Sequence, residues 1–162
     1  MATTRIVTLN EVLNLCENFV SSHPMISDFG YGPTSEIGTS RQMKFPYIWA
    51  THQTDSYIRV ANKTAIPELN LMFLFMDQIN NQNNTDDNVG EGSDNGTDIM
   101  SDMFQLLQDF VIEIETNWGQ YGIMITEDVR ALATFDETTD KVNGWAGEFS
   151  LKLSYTNCEI PI

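Results

Sequence analysis

Six consecutive apolar residues, Leu71-Met72-Phe73-Leu74-Phe75-Met76, constrain the fold of this chain more than any other stretch. Neighbouring side chains of a β-strand point to opposite faces, so a run that is apolar at every position must be covered on both. Leu69 to Met76 therefore reads as the central strand of a sheet. Leu71, Phe73 and Phe75 would face one layer, with Met72, Leu74 and Met76 facing the other. The run is far too short to cross a bilayer, which takes about 20 residues as a helix. A chain of 162 residues with 41% hydrophobic content can bury a core around such a strand, as one domain spanning 1–162.

Two helices are expected beside the sheet. In Thr8 to Val20 the residues Leu9, Val12, Leu13, Cys16, Phe19 and Val20 recur at helical spacing, and Thr8 with Glu11 makes a capping-box signature. Pro24 disfavours helix at His23 before it. Asp98 to Glu115 carries a broader stripe of Ile99, Met103, Leu106, Leu107, Phe110, Val111 and Ile114, with Asp102, Gln105, Asp109 and Glu113 on the other side. Trp118-Gly119 closes it.

The remaining segments read as loops and strands. Residues 25–41, rich in Gly, Ser, Thr and Pro, suggest a loop or irregular hairpin. Lys44 to Thr51 suggests a strand that is an edge or is broken at its start by Pro46. Tyr57–Val60, Ile123–Ile125 and Ala131–Phe135 suggest short strands. Gly147 to Tyr155 alternates cleanly, with Phe149, Leu151, Leu153 and Tyr155 on one face. Asn80 to Gly96 is polar and cannot bury anything; it is a flexible loop or the tip of a hairpin, at about 80–97. The order predicts an α+β fold: an antiparallel or mixed sheet packed by two amphipathic helices on one face.

Charge is the most unusual bulk property. There are 8 Lys and Arg against 23 Asp and Glu, a net charge of −15. No Lys or Arg occurs between Lys63 and Arg130, whereas Arg41, Lys44, Arg59 and Lys63 cluster just before that span. Sequence-independent binding of nucleic acid needs several cation–phosphate contacts, so such a role is disfavoured. Transient passage of DNA that must not stick is compatible. The segregation is either a solvated acidic surface beside a mixed one or a pair of complementary faces favouring head-to-tail contact.

Chemical motifs are wanting. His23 and His52 have no nucleophile elbow or matching carboxylate spacing, and both suit ordinary loop or strand histidines. The acidic loop fails the calcium register: counting from Asp86, Glu91 stands where the pattern needs Gly. Cys16 and Cys158 show no metal-ligand spacing, and free thiols in a reducing compartment are expected. Trp49, Trp118 and Trp145 are scattered, as core or sheet residues would be. No catalytic residue, cofactor or metal site is expected.

One resemblance rests on pattern. It comprises the N-terminal helix, Phe45-Pro46-Tyr47-Ile48-Trp49, the apolar strand ending in Asp77, and Asp98-Ile99-Met100-Ser101-Asp102 opening the long helix. Asn143-Gly144-Trp145-Ala146-Gly147 and the terminal Asn157-Cys158-Glu159-Ile160-Pro161-Ile162 complete it. The chain resembles small virion proteins of tailed bacteriophages, similar in architecture to tail-terminator or tail-completion proteins. The resemblance is diffuse and covers most of the chain. It implies a homo-oligomeric ring, typically hexameric, in the virion tail or neck, assembled in the host cytoplasm. The ring would cap the tail tube, meet tail-tube and neck or connector proteins, and pass DNA through its channel, with no membrane partner and no enzymatic activity.

On this reading Asp86, Asp87, Glu91 and Asp94 are candidates for a channel or partner loop. Arg41, Lys44, Arg59 and Lys63 are candidate subunit-interface cations, and Glu159, Ile160, Pro161 and Ile162 a candidate C-terminal arm. The alternatives are a head–tail connector or tail-tube subunit, and, in another class, a small hydrolase or ligand-binding domain with a deep polar pocket.

Overall fold

A computed structural model describes residues 8–37, 43–53, 55–78, 96–135 and 142–153. Its strands, in chain order, are β1 (Asp28–Tyr31), β2 (Tyr47–His52), β3 (Tyr57–Ala61), β4 (Thr64–Gln78), β5 (Ile123–Ile125), β6 (Arg130–Phe135) and β7 (Val142–Leu153). The two α-helices are α1 (Leu9–Ser22) and α2 (Gly96–Asn117). The apolar run lies in β4, at the centre of a seven-stranded mixed sheet ordered β1-β2-β4-β7-β5. On one edge of β4, β2 pairs antiparallel from Tyr47↔Met76 to His52↔Leu71, and β3 continues that edge from Tyr57↔Glu68 to Ala61↔Thr64. On the other edge β7 pairs from Glu68↔Lys152 to Gln78↔Val142. Both β5 and β6 pair with the far edge of β7.

Each face of β4 is covered as its alternation requires. Leu71, Phe73 and Phe75 are fully buried in the core that holds Val12, Cys16 and Phe19 of α1 and the stripe of α2. Phe110 of α2 is the hub of that layer. Its ring centroid lies 4.9 Å from Phe73, 5.2 Å from Phe19, 5.5 Å from Phe149 and 5.6 Å from Trp118. These tilted and edge-on contacts suit the aromatic quadrupole. On the opposite face Leu74 and Met76 pack with Tyr47, Trp49, Val142 and Ala146. Met43, Ile37 and Phe45 join this second cluster, so loop residues supply part of the cover that the helices supply on the first face. Trp49 is fixed there by its indole N–H, which donates to Gly32 O at 2.9 Å.

The structure corrects several local expectations. Thr8 makes no side-chain cap; the backbone N–H groups of Glu11 and Val12 reach Thr8 O instead, at 3.1 and 3.2 Å. The stretch expected to be a loop or irregular hairpin contains β1, which runs parallel to β2 from Asp28↔Tyr47 to Tyr31↔Ala50. As a result β2 is internal and not an edge, while its start just after Pro46 agrees with the break expected there. Strand β7 begins at Val142 rather than Gly147, because its glycines let neighbours approach. A Cβ at Gly144 would lie 1.8 Å from Phe75 O, and one at Gly147 would lie 2.7 Å from a Leu107 methyl. After α2 a 3₁₀ turn (Trp118–Tyr121) buries Trp118 and ends at Gly122, whose φ of 81° favours glycine.

Backbone contact at Gly144 cannot be relieved by rotating a side chain, so Gly144→Ala is expected to cost about 2–3 kcal/mol in urea unfolding. At Gly119 an added methyl meets nothing within 4 Å. Gly119→Ala should stay within about 0.5 kcal/mol of the parent.

Candidate functional site

Strand β4 is longer than the layer that covers it. Its first residues pair with β3 in a hairpin closed by Asn62-Lys63, at φ 47° and 62°. Two left-handed residues make the tight connection whose twist matches that of the flanking strands. Every residue of β3 is exposed.

The two faces of the hairpin differ. The register places Ile58 opposite Pro67 and Val60 opposite Ala65, on the side of the sheet that the helices cover elsewhere. Ile58 and Val60 are nevertheless 69% and 79% exposed, so this side of the hairpin is bare. The other side is polar. Arg59 Nε donates to Glu68 Oε2 at 2.6 Å, and Thr126 Oγ1 lies 3.5 Å from Glu68 Oε1. The hydrogen bond from Arg59 holds the Glu68 carboxyl below the usual carboxylate range, against the opposing effect of burial. Beside this pair Ser150 Oγ lies 2.8 Å from Glu127 Oε1 and 2.7 Å from Asn70 Oδ1. From Tyr57 to Pro67 the chain carries Arg59 and Lys63 and no carboxylate.

A second surface lies between α2 and the segment joining β5 to β6. A groove of about 750 Å³ is floored by Leu107, Val111, Ile125 and Val129, with Phe104 at one side. Glu115, Glu127 and Asp128 line it, and no Lys or Arg does. Phe104 is held against Trp145, at 4.9 Å between ring centroids, while the Trp145 indole N–H donates to Met100 O at 2.8 Å.

The cations singled out from sequence are only partly assembled. Arg59 and Lys63 share the hairpin, whereas Lys44 lies before β2, near the opposite end of β4, where its backbone N–H donates to Asp28 Oδ2. At about 3.3 Å per residue the length of β4 separates the two sites by roughly 45 Å. Arg41, the loop residues Asp86, Asp87, Glu91 and Asp94, and the arm Glu159, Ile160, Pro161 and Ile162 lie outside the described residues.

Both histidines occupy ordinary structural positions. His23 Nε2 lies 3.2 Å from Asp109 Oδ2, tying the end of α1 to α2, and His52 ends β2 in contact with the Tyr31 hydroxyl. Among the described residues no three His, Cys, Asp or Glu side chains form a metal-holding group, and no helix is long and apolar enough to cross a membrane. Cys16 is buried and free, and its burial pushes the thiol pKa far up.

Sequence reasoning missed the groove and the bare face of the hairpin. The two-residue turn between Tyr57–Ala61 and Thr64 onward was a usable hairpin signal. The groove had none, since it depends on how α2 crosses the β5–β6 edge. No family model matches the sequence, and no curated protein matches it.

Two carboxylates should have opposite effects on stability. Glu68, with its pKa lowered, stabilises the fold above the ordinary carboxylate range and loses that contribution as pH falls through its own depressed pKa. Asp77 is raised by burial, opposed by the backbone N–H of Gln78 and reinforced by Asp102, so its ionisation costs stability as pH rises through that range. In urea titrations at several pH values, Glu68→Gln should be less stable than the parent at neutral pH, and Asp77→Asn more stable. Both differences should shrink in acid.

Proposed function

We propose that this chain is a structural virion protein, a tail terminator whose copies close into a ring, hexameric as in the family it resembles. The ring would cap the tail tube and join it to the neck or connector. The observation that carries this reading is the segregation of charge on the fold. A hairpin bearing Arg59 and Lys63, with Glu68 its one acid and paired to Arg59, projects from a chain of net charge −15. Complementary surfaces of this kind favour contact between copies over contact with polyanions.

The fold supports the reading at a coarser level, since a mixed sheet with two helices on one face is the architecture the resemblance implies. In the ring, acidic surface turned to the channel would let DNA pass without being trapped, because trapping takes cations. The role is one of assembly and docking, without catalysis or cofactor, in the tail or neck of a particle assembled in the host cytoplasm.

A second reading is a ligand-binding domain, favoured by the apolar floor of the groove beside α2. It needs no self-association.

Light scattering on the purified protein, over a concentration series at low and moderate salt, tests the proposal. A closed ring near six subunits that weakens as salt rises is the expected result. Open-ended stacks would indicate a tail-tube subunit instead. A monomer at every concentration would overturn ring formation by the chain alone.

A further inference from the structure

The bare hairpin and the acidic groove match in both polarity and charge. Exposed β-branched residues on a strand without an outer partner are a liability unless something covers them. Ile58 and Val60 are such residues, and β3 pairs only with β4 among the described strands. The hairpin cannot cover this face itself: its turn is two residues long, and its own polar side is occupied by the Arg59–Glu68 pair. The groove offers the complement, an apolar floor beside the carboxylates of Glu115 and Asp128, while Glu127, also in its lining, is bonded to Ser150.

We propose that the β3–β4 hairpin of one copy seats in the α2/β5–β6 groove of the next. Ile58 and Val60 lie on the apolar floor, and Lys63 at the tip reaches the carboxylates beside it. Lys63 pairs with no carboxylate among the described residues of its own chain, and the Arg59 side chain is 68% exposed while bonded to Glu68. A second copy is the favoured occupant because the charges are complementary within one sequence. The hairpin carries Arg59 and Lys63 with one acid, Glu68, which Arg59 pairs, so Lys63 is left as its unpaired charge; the groove lining has three acids and no cation.

Hairpin and groove are different surfaces, so a contact made once between two copies is heterologous, whereas one made reciprocally closes a two-fold dimer. Repeated from copy to copy, the heterologous contact closes into a ring where the rotation allows, and otherwise runs on as a filament. This inference rests on the self-assembly proposed above and adds the pair of surfaces that performs it.

Two measurements test it. The first compares assembly by light scattering for the parent, Val60→Asp and Glu115→Lys. Both substitutions fall on exposed side chains and leave the core intact. Each should move the assembly midpoint to at least about tenfold higher concentration, as a buried unpaired or like charge requires.

The second treats an assembled mixture of isotopically light and heavy chains with a carbodiimide. The reagent condenses an amine with a carboxylate in contact, forming an amide as its own urea leaves with the oxygen. Mass spectrometry should find Lys63 joined to Glu115 or Asp128 in mixed light–heavy pairs. An oligomer that withstands both substitutions, or whose inter-chain links omit Lys63, would overturn this docking and leave the ring standing. A parent protein that never assembles would overturn both.

Discussion

The packing of Phe110 against β4 and β7 is the contact on which the rest of this structure depends. Phe73, Phe75 and Phe149 converge on that one ring from the sheet, Phe19 from α1, and Trp118 from the turn after α2. Removing it would empty the junction of three elements at once, where loss of a phenyl side chain costs about 3–5 kcal/mol. The contact also sets the position of α2 along β4, and so which part of the strand is roofed. From Leu71 to Met76 the strand is covered on both faces, while from Thr64 to Pro67 it runs past the helices. The exposed hairpin follows from where the aromatic cluster anchors the helix.

Charge follows the same division. The acids of α2 stand on its outer side, and three carboxylates gather around the groove beside it. Arg59 and Lys63 stand on the hairpin, beyond the roofed part of the sheet. Fold and electrostatics therefore give the chain two unlike surfaces that adjoin at Thr126 and Glu127. The tight polar contacts around Glu68 and Ser150 pair groups with one another on the sheet surface.

Much of the fold was legible because it is written in short-range period. Leu71 to Met76 announces a strand covered on both faces, and the spacing of Ile99, Met103, Leu106, Phe110 and Ile114 announces a helix; all five of these helix residues are buried. β1 was not legible, since Asp28-Phe29-Gly30-Tyr31 is four residues long in a Gly-, Ser- and Pro-rich stretch and becomes a strand only by pairing with β2. The start of β7 was hidden by Gly144 and Gly147, which suggest a turn locally and serve close packing in the fold. The candidate interface was half legible. The cations were visible as a cluster in sequence, but the sheet carries Lys44 to one end and Lys63 to the other. The groove joins α2 to the β5–β6 segment through tertiary structure alone.

One property of β4 bears on how the molecule carries load. The strand runs unbroken from the hairpin turn to Gln78, with β2 along one edge and β7 along the other, both antiparallel to it. Tension applied at the turn along the strand axis would load these two ladders in shear, so many hydrogen bonds must yield together. Peeling from an end would break them one at a time. A strand held this way is compliant at its tip and stiff at its root.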